Sequence, residues 1–149
     1  MKLTKHFSLE ELCKSQTAIR LGIDNLAKDE NVIINLKTIC ENILEPIREN
    51  YGIPFSPNSG YRSPKLNNAV GSSHKSQHLK GQAVDIEIPS IDNYDLAQWI
   101  RNNLNFDQLI LEFYNGQPSS GWVHVSFAEE NRKQLLTFNG KDWNSGLVK

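Results

Sequence analysis

Three short segments constrain the fold more than any other feature of the sequence. AVDIEI (83–88), QLILEF (108–113) and WVHVSF (122–127) each alternate apolar with other residues. Successive side chains of a strand point to opposite faces, so each segment reads as a strand with one core face. Val84, Ile86 and Ile88 take the core face of the first; Leu109, Leu111 and Phe113 that of the second; Val123, Val125 and Phe127 that of the third. The opposite faces carry Asp85 and Glu87, then Gln108, Ile110 and Glu112, then Trp122, His124 and Ser126. If the strands are neighbours, Asp85, Glu112 and His124 converge on one surface of a sheet.

The rest of the chain supplies helices to cover the other surface. FSLEEL (7–12) reads as a helix start, with Ser8 as cap, Glu11 completing a capping box and Phe7 placed to staple onto Leu12. QTAIRLGIDN (16–25) shows no clear period and reads as a loop. Residues 30–51 form the longest helical pattern, with Val32, Leu36, Ile39, Ile43 and Ile47 on one face. Pro46 is expected to distort that helix near Asn42, and Gly52 to end it. Residues 53–78 are rich in Ser, Asn, Gly and Pro and read as a long loop, a kind that is often functional. A helix is expected over 92–104, and LLTFNG (135–140) reads as a last strand or hairpin arm. This order predicts an α+β fold: a small, mainly antiparallel sheet, helices packed on one face and the chemistry on the other.

The chain of 149 residues fits one domain spanning 1–149 and can bury a core without disulfide or metal support. A net charge of −1 with no basic stripe gives no reason to expect nucleic acid as a partner. No segment approaches the roughly 20 apolar residues of a membrane helix, so no membrane insertion is expected. The start, MKLTKHFSLEEL, has no apolar run of signal-peptide length, so synthesis into the cytoplasm is expected. Cys13 and Cys40 stand far apart in no ligand-like spacing and read as thiols in a reducing compartment.

The segment SQHLKGQAVDI (76–86) joins a loop histidine to a strand aspartate across Gly81, which permits a sharp turn. Zinc accepts imidazole nitrogen and carboxylate oxygen, and a catalytic zinc usually takes three protein ligands. His78, Asp85 and His124 would supply them, and Glu112 would be the general base. Taken singly, each has a plainer reading. A strand aspartate is more often a surface residue, Glu112 alone a solvated carboxylate, and His6 or His74 a solvated or structural histidine.

SGYRS (59–63), SQHLKGQAVDI (76–86) and WVHV (122–125), in that order, resemble the zinc D-alanyl-D-alanine carboxypeptidase family, peptidase family M15. That family also includes D-Ala-D-Ala dipeptidases and phage L-alanyl-D-glutamate endolysins. FSLEE (7–11) and LEPIR (44–48) extend the likeness, which runs from about Phe7 to Phe127. The resemblance implies Zn2+ held by His78, Asp85 and His124, and Arg62 orienting substrate through a carbonyl or carboxylate. It implies hydrolysis of peptide bonds in peptidoglycan stem peptides, of D,D-carboxypeptidase or L-Ala-D-Glu endopeptidase type, by a monomer acting at the bacterial cell wall. Phage or prophage release would take such a protein there. Some members carry an acid three residues before the last histidine; that position is Gly121 here, so Glu112 is expected to be the base. His74 is a further polar candidate near the metal, and Ser76, Gln77 and Trp122 are candidates to line the cleft. Trp122 stands where some members have a histidine.

A similar metal framework occurs in the hedgehog signalling domain, so a zinc-binding cell-wall or virion attachment module without activity is the alternative. The presence of three ligands, an acid and an arginine together argues for the enzyme.

Overall fold

The computed structural model describes residues 1–149. The elements run α1 (Leu9–Leu12), α2 (Gln16–Leu21), α3 (Glu30–Ile39), a π-helical turn (Cys40–Leu44), α4 (Glu45–Tyr51), α5 (Pro64–Ala69), a 3-10 turn (Gln77–Lys80), β1 (Ala83–Ile86), α6 (Asn93–Asn103), β2 (Gln108–Glu112), β3 (Trp122–Ser126), β4 (Gln134–Phe138) and β5 (Trp143–Ser145).

The fold is α+β, as expected, but the sheet is mixed. Its strand order is β1-β3-β2-β4-β5. β1–β3, β2–β3 and β4–β5 pair antiparallel, whereas β2 and β4 run parallel. The parallel pair follows from a fork at the strand starts. Asp107, just before β2, accepts from the Arg132 backbone N–H at 3.0 Å, from Nε at 2.8 Å and from Nη2 at 3.0 Å. The Gln134 N–H then donates to the Asp107 carbonyl at 2.9 Å, so both strands leave from one point in one direction.

That fork carries a pH prediction. Hydrogen bonds from Arg132 hold the Asp107 carboxyl down at about 2, against an ordinary 3.8. A depressed folded-state value contributes stability that is present above the ordinary value and lost as pH falls through the folded one. Asp107→Asn is therefore expected to lower the urea midpoint at neutral pH and to flatten its decline between pH 3.8 and about 2.

The apolar strand faces sit where the alternation puts them. Val84, Ile86, Leu109, Leu111, Val123 and Val125 are all fully buried. They form one buried cluster with Leu36, Ile39, Ile43 and Ile47 of the long helical region and Leu96 and Ile100 of α6. Removing one such side chain costs ~2–5 kcal/mol. α1 has the full capping box: the Glu11 N–H donates to the Ser8 hydroxyl, and the Ser8 N–H donates to the Glu11 carboxylate.

Helix 30–51 is distorted where Pro46 predicts, by the wide turn at Cys40–Leu44, in which the Glu45 N–H reaches the Cys40 carbonyl. A proline lacks the N–H of a regular turn, and an i→i−5 pattern is one way to take up the misfit. Two expected loops contain helices. α2 occupies Gln16–Leu21, capped by Ser15 and closed by Gly22, and α5 occupies Pro64–Ala69, capped by Ser63. Phe113 does not join the core. Its φ of 58° turns it out of β2, and it is 43% exposed. Cys13 and Cys40 are free and buried. No helix is long and apolar enough to cross a membrane.

Candidate metal centre and cleft

The sheet register builds the site. Asp85 of β1 lies directly opposite His124 of β3, and His124 lies opposite Ile110 of β2. Residues opposite each other share a face, so Glu112, two beyond Ile110, shares it as well. Trp122 is paired with Glu112 on the same surface. The backbone of Ser59 extends this sheet locally, exchanging hydrogen bonds with Asp85.

His78 reaches that surface from the 3-10 turn. The Ser76 hydroxyl accepts from the His78 N–H at 3.2 Å, and Gly81 closes the turn with φ of 71°. The sharp turn expected at Gly81 is thus present. His78 Nδ1 lies 2.6 Å from the Gly60 carbonyl. A carbonyl only accepts, so Nδ1 must carry the proton, and Nε2 of the neutral ring presents a lone pair.

That lone pair faces a carboxylate. His78 Nε2 is 3.5 Å from Asp85 Oδ2, is fully buried and has no hydrogen-bond partner. His124 Nδ1 is 2.9 Å from Asp85 Oδ1. One ligand atom from each of the three residues lies within 4.8 Å of the other two. Two acceptors facing each other in a buried place repel unless a proton or a metal cation lies between them. The donor set of two imidazoles and one carboxylate suits a divalent metal such as zinc. The Gly60 carbonyl on the far nitrogen of His78 fixes the ring, as an outer hydrogen bond does for histidines that bind metals. Burial alone would raise the Asp85 carboxyl, but the neighbouring His124 ring, at 2.9 Å, and the His78 ring, at 3.5 Å, outweigh it and hold it well below the carboxylate range.

The group opens into a cleft of about 590 Å³ that Arg62, Glu112, Trp122, Ser76 and Gln77 also line. Burial, and next the Asp85 charge, push the Glu112 carboxyl up. The Trp122 indole N–H donates to Glu112 Oε2 at 2.9 Å and fixes the direction of that carboxylate. Burial lowers the Arg62 guanidinium, opposed by the charges of Asp85 and Glu112, and an arginine stays protonated regardless. Gln77 donates its amide to Asp107 at 2.9 Å and so ties the turn that carries His78 to the β2–β4 fork. His74 is exposed and is not among the residues that line this cleft. Sequence reasoning missed Asp107 and Arg132, whose pairing spans 25 residues and has no local signature.

Gly121 has φ of 63°, and a Cβ there would lie 2.0 Å from the Glu112 carbonyl oxygen. No side chain fits, so an acid at this position is excluded by packing against the strand that carries Glu112. Gly121→Ala is expected to destabilise the chain by ~1–3 kcal/mol or more, through positive-φ strain and that clash. Thermal unfolding checks it, and an unchanged midpoint would contradict it.

Residues 5–126 match the family model described as Peptidase M15, which takes in α1 through β3 and every residue of the His-Asp-His group. The chain belongs to the peptidase M15 family. No curated protein matches the chain. Membership makes this M15 chain a peptidase by family, with its His-Asp-His group in the matched stretch; β4 and β5 of the M15 chain lie beyond it.

Proposed function

We propose that this chain is a zinc-dependent peptidase that hydrolyses peptide bonds in peptidoglycan stem peptides, as D,D-carboxypeptidase or L-Ala-D-Glu endopeptidase. The observation that carries this reading is the buried, partnerless His78 Nε2 facing Asp85 beside His124, with Glu112 in the same cleft. His78, Asp85 and His124 would hold the metal, and zinc bound there would supply Lewis acidity for a peptide carbonyl and for water at neutral pH.

Glu112 takes the proton from the attacking water as the C–O bond forms, and delivers it to the leaving amine nitrogen as the C–N bond breaks. Burial, which raises its carboxyl, suits a group that must first accept a proton and then release it. The Trp122 indole holds one carboxylate oxygen, leaving the other for the proton. Arg62 orients the substrate through a carbonyl or carboxylate, a task that suits its planar fork of donors. The chain acts at the bacterial cell wall, where that substrate is found.

The test is incubation of zinc-loaded protein with purified muropeptides, followed by mass spectrometry of the products. Loss of a terminal alanine, or separation between the first two stem residues, supports the reading and identifies the bond. Intact muropeptides at high enzyme concentration would overturn it.

A further inference from the structure

The cleft that holds the proposed chemistry is also lined by Trp143, which the register places beside Phe138, the β4 partner of Glu112. Trp143 lies on β5, a three-residue edge strand whose residues are all exposed, and it is itself 55% exposed. It lies outside the stretch that matches the family. One face of its ring stacks on Phe138, with centroids 4.3 Å apart and planes at 21°. Phe138 meets Phe113 edge-on at 5.5 Å, and Phe113 lies 5.0 Å from Trp122. Trp122 in turn donates to Glu112. A continuous file of rings thus runs from the proposed base to the cleft rim.

Such a file at an all-exposed edge contributes little to the core, and clustered exposed aromatics mark interaction surfaces. Besides the His-Asp-His group and Glu112, the cleft is lined by hydroxyls, an amide and cations: Ser72, Ser73, Gln108, Lys75 and Arg132, of which Gln108 also donates to Gln134 and Arg132 to Asp107. A flat apolar ring in a cleft that also offers hydrogen-bonding groups matches a pyranose. The sugar ring offers an apolar C–H face for stacking, and its hydroxyl and acetamido groups lie at the edge.

We propose that Trp143 is a stacking platform for the sugar to which the stem peptide is attached, so that the preferred substrate is sugar-linked peptide rather than free peptide. This rests on the peptidoglycan reading above and adds a specificity residue to it. A sugar held in the same cleft as the base favours cleavage near the sugar-proximal end of the stem.

The experiment compares a synthetic stem peptide with the same peptide carried on its amino-sugar disaccharide. For zinc-loaded wild type, kcat/KM is expected to be higher on the linked substrate. Trp143→Ala should lower the linked-over-free ratio about tenfold, chiefly through KM, the factor that one aromatic stacking contact corresponds to. Trp143→Phe, which keeps a flat ring, should recover most of it, and Trp143→Leu, which keeps bulk without the ring, should not. An equal loss on both substrates, or no loss, would overturn the platform.

Calorimetric binding of both ligands to Glu112→Gln protein separates this proposal from the hydrolysis reading. If wild type cleaves neither substrate, tighter binding of the linked ligand that Trp143→Ala abolishes supports the platform alone. Equal binding of the two ligands overturns it.

Discussion

Glu112→Gln protein retains wild-type metal content and loses turnover on muropeptides by about 100-fold to 10,000-fold, the range for removing a general base. The substitution preserves volume and keeps an oxygen that can accept from the Trp122 indole, 2.9 Å away in the wild type. Only the capacity to take a proton is lost. The effect therefore falls on kcat, with KM little changed. A Glu112→Gln enzyme that turns over at the wild-type rate would remove Glu112 from the role of base and leave the other residues of the cleft to be reconsidered.

His78→Ala gives the second large effect, and it acts one step earlier. Without the imidazole, Asp85 and His124 offer two ligands in place of three, and both metal content and hydrolysis are expected to be lost. Asp85→Ala should do the same, since its carboxylate lies between the two histidines at 3.5 and 2.9 Å. Stability of the metal-free chain distinguishes these variants from simple misfolding. His78, buried on the 3-10 turn, and Asp85, on the cleft face, both stand outside the buried apolar cluster of Val84, Ile86 and their neighbours, so that cluster keeps its own side chains in both variants. The comparison is thermal unfolding of wild type and variants with and without added zinc. Wild type alone should gain from the metal, because a ligand that binds only the folded state raises its midpoint.

The site was legible in the sequence to the extent that it depends on strand alternation. A period of two is a local property, and it put Asp85, Glu112 and His124 on one face before any pairing was known. The register then brought Asp85 opposite His124. Features that depend on distant partners left no such trace. The parallel placement of β4 depends on Arg132 and Asp107, and neither residue has a local pattern to mark it. The helix at Gln16–Leu21 reads as loop in the sequence because its only buried residue is Ala18, so it has no apolar face to repeat; its caps, Ser15 and Gly22, are the available signal.

Phe113 fits the alternation of QLILEF yet leaves the core. Its N–H is held by the Phe138 carbonyl at 2.7 Å, while a positive φ turns it toward the aromatic file at the cleft. The pattern extended one residue beyond the strand. His74 shows the opposite case: proximity in sequence to His78 did not bring it into the cleft, because the chain turns between them.

The most direct test of the metal-centred account is elemental mass spectrometry of the chain after equilibration with zinc and exhaustive dialysis. The account predicts one zinc per chain in wild type and in Glu112→Gln, and none in His78→Ala. Wild-type protein that retains no zinc would contradict it, and the His78, Asp85 and His124 cluster would then be a buried polar network without a metal.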